Sequence, residues 1–167
     1  MGTEEVSALG RALEDAARSL VEEAAARGAT VATAESLTAG LAAASIAAVP
    51  GASAVLRGGA VTYCDEVKHE VLGVAQATLD EHTAVSWQTA CEMATGARRV
   101  FAVSAAVSLT GYAGPDGGSE RDPAGTVYLA TCSDKGTRWE RRRFSGSRNE
   151  VRAKAALRAL EMLLEAL

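Results

Sequence analysis

Residues 101–118, FAVSAAVSLTGYAGPDGG, join the most continuous apolar run of the chain to the loop that breaks it. The first ten residues read as the central strand of a sheet, since a run without polar alternation is covered on both faces. From Gly111 to Gly118 the composition changes to four glycines and a proline in eight residues. Glycine reaches backbone angles closed to other residues, and Pro115 fixes its own φ at about −65°, so the loop follows a defined path. Such a path can turn several backbone N–H groups to one side, a concavity suited to a phosphate, a carboxylate or a developing oxyanion. Taken alone, the loop reads equally well as a surface turn, because PDG and GG are ordinary turn signals.

Outward from this strand the chain alternates helices and strands. Val6, Leu9, Leu13, Ala16, Leu20 and Ala24 recur at helical spacing, and Gly28 follows as a stop. Residues 30–34 predict a short buried strand, and a small-residue helix runs from about 40 to Val49 before Pro50-Gly51. Residues 55–63 predict a strand interrupted at Gly58-Gly59 by a bulge or a close backbone approach. A short helix begins at Asp65, and Ser86 caps a helix that ends near Arg99. Two strands, about 124–132 and 137–144, are joined by an Asp134-Lys135-Gly136 turn. Ser147 and Glu150 form a capping box for a last helix whose apolar face is Ala153, Ala156, Leu157, Leu160, Leu163, Leu164 and Leu167. The pattern predicts one α/β domain over residues 1–167, a three-layer α/β/α sandwich with a mixed, mostly parallel β-sheet.

The totals narrow the function. At 167 residues the chain is long enough for a full core, and 48% hydrophobic content with few aromatics assigns that core to Ala, Val and Leu. The net charge of −4, without a lysine-rich stripe, argues against nucleic acid as a partner. Cys64, Cys91 and Cys132 are odd in number and not in a metal spacing. No apolar stretch approaches transmembrane length, and the N-terminus has no signal-like h-region. The expectation is a cytoplasmic protein with no membrane partner.

Three segments at strand ends can carry chemistry: Ser36 to Gly40, Tyr63 to Lys68, and the glycine loop. In open α/β sheets ligands gather at such ends. Ser36 and Thr38 sit where a strand enters a helix, a place of free amides and positive dipole; simple capping is the competing reading. Lys68 lies early in a helix, against the macrodipole, and a lysine in a dry site can lose its proton near neutral pH and serve as a base. His69 and His82 are too few and too poorly flanked by acids for a triad or a metal site. Arg141-Arg142-Arg143 reads as a solvated edge that discourages strand pairing. Arg57 and Arg148 are candidate positive charges, and Glu35 and Asp116 are candidates to orient Lys68 or a ribose hydroxyl.

Five segments in order resemble the CinA C-terminal domain family, whose stand-alone members include nicotinamide mononucleotide (NMN) deamidases. They are AESLTAG at 34–40, VTYCDEVK at 61–68, AVS at 84–86, GYAGPDGG at 111–118 with a following P-x-GTV at 123–127, and FSGSR at 144–148. The resemblance spans about Ala29 to Leu164. It implies a three-layer α/β/α domain, a homodimer or higher homo-oligomer, and hydrolysis of the NMN carboxamide to nicotinate mononucleotide and ammonia, with no metal or organic cofactor. The family usually reads SCTGG or SLTGG where this chain has SLTAG. Leu37 therefore removes a cysteine that some members carry, and Ala39 adds a methyl group at the turn. YSNEAK becomes YCDEVK, keeping Tyr63 and Lys68.

With that resemblance, Ser36, Tyr63 and Lys68 are the candidate catalytic residues. Ser36 is expected to attack the carboxamide carbon after Lys68 takes its proton, directly or through Tyr63, or else to hold a water that attacks. Amides of the glycine loop or of the 38–40 turn are expected to hold the oxyanion. Candidate substrate-binding residues are Thr38, Gly40, Arg57, Gly111, Gly114, Asp116, Gly117 and Arg148. The competing expectations are a non-catalytic module that binds a nucleotide or a protein, and an amidohydrolase for a related amide.

Overall fold

The computed structural model describes residues 3–167. Residues 1–2, and the side chains of residues 3–7 with the predicted face residue Val6, lie outside the described residues. Along the chain come α1 (Thr3–Ala26), β1 (Val31–Glu35), α2 (Leu41–Ala47), a 3₁₀ turn (Ala52–Ala54), β2 (Leu56–Val61) and α3 (Asp65–Leu72). Then follow α4 (Gln76–His82), α5 (Trp87–Phe101), β3 (Ala105–Gly111), β4 (Thr126–Ser133), β5 (Gly136–Arg143) and α6 (Arg148–Ala166).

The apolar run predicted as a central strand is β3, in the middle of a five-stranded sheet of order β2-β1-β3-β4-β5. β1 pairs parallel with both β2 and β3, while β4 pairs antiparallel with β3 and with β5. Four strands thus share one direction, and β4 alone runs against them. The mixed sheet follows from connection length. The Asp134–Gly136 turn is too short for a crossover, so β4 and β5 form a hairpin, whereas helices return the chain to β2 and β3.

Helices α1, α2 and α6 cover one face, and α3, α4 and α5 cover the other. The strands feed both layers with period two. Ala105, Val107 and Leu109 of β3 and Val127 and Leu129 of β4 join the α1–α6 core. Ala106 packs toward α3–α5, with Tyr128 and Ala130 against α5. On that face Ser108 Oγ donates to Ala90 O at 2.6 Å, satisfying a hydroxyl that would otherwise be buried unpaired.

Several local expectations meet structural detail. Ser86 caps α5 by accepting from Thr89 N, and the Ser147–Glu150 capping box opens α6. In β2 the register with β1 slips between Val31 and Ala32, whose partners are Leu56 and Gly58, so Arg57 is the extra residue. Helix α4 was not expected; it is seven residues long with Leu79 as its buried residue, too little for a 3.6-residue period to emerge. The α6 face is also wider than the predicted one. Val151, Ala155, Ala159, Met162 and Ala166 are buried with Ala156, Leu160 and Leu163, while Ala153, Leu157, Leu164 and Leu167 are half-buried. Its position between the sheet and α1 requires that broader arc.

β5 is the exposed edge, and its Arg141 and Arg142 are tethered. Arg141 Nε donates to Asp122 at 2.8 Å, and Arg158 of α6 reaches Glu140 at 2.7 Å while also pairing with Glu161 and Glu165. The Arg158 guanidinium, with Arg142 assisting, holds the Glu140 carboxyl down to about 2. Among the described residues no helix is long and apolar enough to cross a membrane.

Helix α5 approaches α3 through Gly96, where a Cβ would collide with the Leu72 carbonyl oxygen. Gly96→Ala is therefore expected to destabilise the fold by about 1–3 kcal/mol in urea denaturation. An unchanged midpoint would show that the two helices separate without cost.

Candidate active site

The carboxyl ends of β1 and β3 and the segment after β2 open onto a cleft of about 260 Å³. Ser36, Tyr63, Lys68, Gly111, Asp116 and Arg148 line it together. Residues from four distant segments therefore share one crevice, as the strand-end rule anticipates. Thr38, Gly40, Arg57, Gly114 and Gly117 do not line it. Arg57 lies at the opening of β2, near the other end of that strand from Tyr63.

Ser36 follows the last residue of β1. Its N–H donates to Leu109 O at 2.9 Å, and its carbonyl accepts from Ala39 N at 3.0 Å, closing a turn. Its hydroxyl has no hydrogen-bond partner among the described residues. The preceding side chain fixes this geometry. Glu35 is fully buried; Oε2 accepts from Gly40 N (3.0 Å) and Ala42 N (3.1 Å), and Oε1 from Ala43 N (2.9 Å) and Thr33 Oγ1 (3.0 Å). The α2 N-terminus is thus filled by an internal carboxylate. Gly40 gives its amide to Glu35 and not to the cleft, and the Thr38 hydroxyl is buried without a partner among the described residues. Glu35, expected beside Lys68 or a ribose, has this helix-capping task instead.

Lys68 is 1% exposed, in the first turn of α3, with Nζ 3.6 Å from Asp65 Oδ1. Burial pushes its ammonium below the ordinary 10.5, and the Asp65 carboxylate pulls it partly back. Desolvation is the larger of the two effects. Tyr63 is 56% exposed, and its hydroxyl accepts from Arg148 Nη2 at 2.9 Å. The hydroxyl expected between Ser36 and Lys68 is thus engaged by an arginine. Arg148 Nη1 donates in turn to Gly114 O at 3.0 Å, so one guanidinium joins the Tyr63 wall to the glycine loop.

The glycine loop begins under packing constraint: a Cβ at Gly111 would collide with Thr126 O on β4. Gly114 has φ 77° and Gly117 φ 91°, which place their backbones in the left-handed region, and the Gly114–Pro115 peptide is cis. Gly114 enters the site through its carbonyl, and Gly117 lies against Tyr112, which lines the cleft.

Sequence reading missed two supports. Arg152 donates from Nε to Leu37 O (3.1 Å) and from Nη2 to Thr38 O (2.8 Å), under the Ser36 turn. Its signal was available as an arginine four residues after Arg148, on the same side of α6. The second support is the loop at 83–86, whose Ala84 and Val85 line the cleft. Thr83 has φ 67°, rare for a β-branched residue, and is held by Thr89 Oγ1 donating to its carbonyl at 2.7 Å. Thr110 Oγ1 donates to Ala84 O at 2.6 Å and ties this loop to β3. No local pattern announces this loop.

A three-layer α/β/α fold with a serine turn, a buried lysine and a glycine loop at one sheet edge is the arrangement to be compared with known proteins. The chain belongs to the CinA family: the model of the CinA C-terminal domain matches residues 13–167. Among its relatives is the nicotinamide-nucleotide amidohydrolase PncC of Escherichia coli (strain K12), 48% identical over 83% of this chain and 84% of that protein. A CinA-like protein of Myxococcus xanthus is 49% identical over 81% of this chain and 32% of its own length. This chain spans about a third of the length of several such curated relatives. The crystal structure of competence/damage inducible protein CihA from Agrobacterium tumefaciens superposes with a TM-score of 0.90 at 40% identity, covering 93% of this chain and 95% of that one.

Two substitutions test this geometry. The folded Lys68 releases its proton below 10.5, so between those two values the unfolded chain binds more protons and stability rises with pH. Lys68→Met should therefore be more stable than the wild type at neutral pH, with the gap narrowing as pH climbs toward about 10 in urea melts; a gap independent of pH would contradict the buried-amine account. Ala39 has φ 51° and is exposed, in a region that costs a side-chain-bearing residue roughly 1–2 kcal/mol. Ala39→Gly should stabilise the fold by up to about 1 kcal/mol once the greater freedom of unfolded glycine is subtracted, read as a raised thermal midpoint.

Proposed function

We propose that this protein is an amidohydrolase that converts NMN to nicotinate mononucleotide and ammonia. The observation that carries the reading is a serine with an unengaged hydroxyl sharing one cleft with a buried lysine of lowered pKa. Neither phosphate binding nor protein docking calls for a lysine buried so that its proton is held less firmly. The likeness to PncC over most of both chains supports the substrate class.

Neutral Lys68 takes the Ser36 proton as Oγ attacks the carboxamide carbon, forming a C–O bond and moving the carbonyl electron pair onto oxygen. The tetrahedral intermediate collapses with cleavage of the C–N bond, and Lys68 returns the proton to the departing ammonia. Water then attacks the acyl-serine, gives its proton to Lys68, and releases the carboxylic acid product while Ser36 regains its hydrogen. The oxyanion needs donors already in place. In the serine turn the Ala39 and Gly40 amides are committed to Ser36 O and Glu35, whereas the Leu37 and Thr38 amides have no partner among the described residues. We assign the oxyanion to Leu37 N–H, on the residue that lines the cleft next to Ser36, with Thr38 N–H behind it. Arg148, held by Tyr63, is the cation assigned to the substrate phosphate. Assembly as a homodimer or higher oligomer and a cytoplasmic setting belong to the same proposal.

The test is ammonia release from NMN by the purified protein. Wild type should turn over, Ser36→Ala should fall to background, and Lys68→Ala should lose about 10²–10⁴-fold. A folded wild-type protein that releases no ammonia would overturn the NMN assignment. Turnover retained by Ser36→Ala but lost with Lys68→Ala would replace the serine nucleophile by water.

A further inference from the structure

Helix α6 approaches the cleft with two arginines one turn apart, and only Arg148 is among its lining residues. Arg152 lies behind it. Its Nε and Nη2 grip the consecutive carbonyls of Leu37 and Thr38, and its Nη1 is 3.4 Å from Asn149 Oδ1. A planar fork with fixed donor directions locks two peptide groups at once, which a lysine cannot do. A trans peptide carries its C=O and the next N–H in one plane, pointing in opposite directions. Holding Leu37 O therefore sets the Thr38 N–H, and holding Thr38 O sets the Ala39 N–H that reaches Ser36 O.

The same turn has Ala39 at φ 51°, a conformation that an alanine leaves when it is free to do so. Glu35 secures the amides from Gly40 onward, but none between Ser36 and Ala39. Backbone bonds from Ser36 N to Leu109 O, Ala39 N to Ser36 O and Leu41 N to Thr38 O fix the ends of the turn, and Arg152 is the side chain that grips its Leu37 and Thr38 carbonyls against relaxation. We propose that Arg152 is a positioning residue that holds Ser36 Oγ and the Leu37 and Thr38 amides in reactive register. This deepens, and rests on, the reading of Ser36 as nucleophile.

The test pairs steady-state turnover with labelling by a fluorophosphonate, in which Ser36 Oγ bonds to phosphorus and fluoride departs, so nucleophile geometry is read without NMN. Arg152→Ala should lower kcat for ammonia release about 100-fold, the scale for a misplaced reacting group, with KM for NMN changed less than about threefold. Phosphonylation of Ser36 should slow by a similar factor. Arg152→Lys, which keeps the charge and one donor, should fall between the two and carries the test if the alanine variant does not fold. Millimolar guanidinium should restore part of the Arg152→Ala rate. Wild-type labelling at Ser36 with an equal rate in both folded Arg152 variants would overturn the role of Arg152 alone. Active wild-type protein that never labels at Ser36 would overturn the nucleophile reading and this proposal with it.

Discussion

The buried carboxylate of Glu35 is the constraint around which the site is arranged. Removing a carboxylate from water costs several kcal/mol, and only dense hydrogen bonding offsets that. Here three backbone amides and the Thr33 hydroxyl supply four donors. At about 1.5–3 kcal/mol for each bond to a charged group, they are enough to keep the anion in place. Because those donors open α2, the exit of β1 has one allowed path, and Ser36 stands at its beginning. The helix end that most resembles an anion site is thereby closed to ligands. Positive charge for a ligand has to come from elsewhere, and Arg148 brings it from α6. The serine turn ends between opposite charges, Glu35 on its amide side and Arg152 on its carbonyl side.

Lys68 presents the contrary economy. Its amine is buried, sits in the wrong turn of a helix for the macrodipole, and has one carboxylate at 3.6 Å. Nothing in that arrangement favours folding. The stability comes from elsewhere, chiefly the double-sided burial of β1, β3 and β4, which are covered along nearly their whole length. A fold that buries such an amine in the cleft it shares with Ser36 gives up stability at that position.

The parts that were legible in the sequence are those with a local cause. The central strand announced itself by composition, the hairpin by Asp134-Lys135-Gly136, and the two caps by Ser86 and by Ser147 with Glu150. Ser36, Tyr63 and Lys68 were placed at strand ends by the same local reasoning, and the structure gathers them in one cleft. What stayed hidden depends on contacts across the fold. Arg152 meets carbonyls that leave no trace in residue identity, Tyr63 turns to Arg148 and not to Lys68, and the Glu35 carboxylate faces its own chain eight residues on. Thr83 shows a different limit: its backbone angle opposes its side chain, and hydrogen bonds from Ser86 Oγ and Thr89 Oγ1 to its carbonyl hold it.

The cleft is assembled from widely separated stretches of chain. Tyr63 and Arg148 are 85 residues apart, and Leu37 and Arg152 are 115 apart. Contacts of that separation are closed late, because loop entropy has to be met first. On a ribosome the serine segment therefore emerges long before its arginines do. A nascent chain can order β1 and α2 around Glu35, yet the cleft lacks one wall until α6 has left the exit tunnel and docked. The cleft is thus complete only with the whole tertiary fold, and shorter translation products carry Ser36 without Arg148 and Arg152.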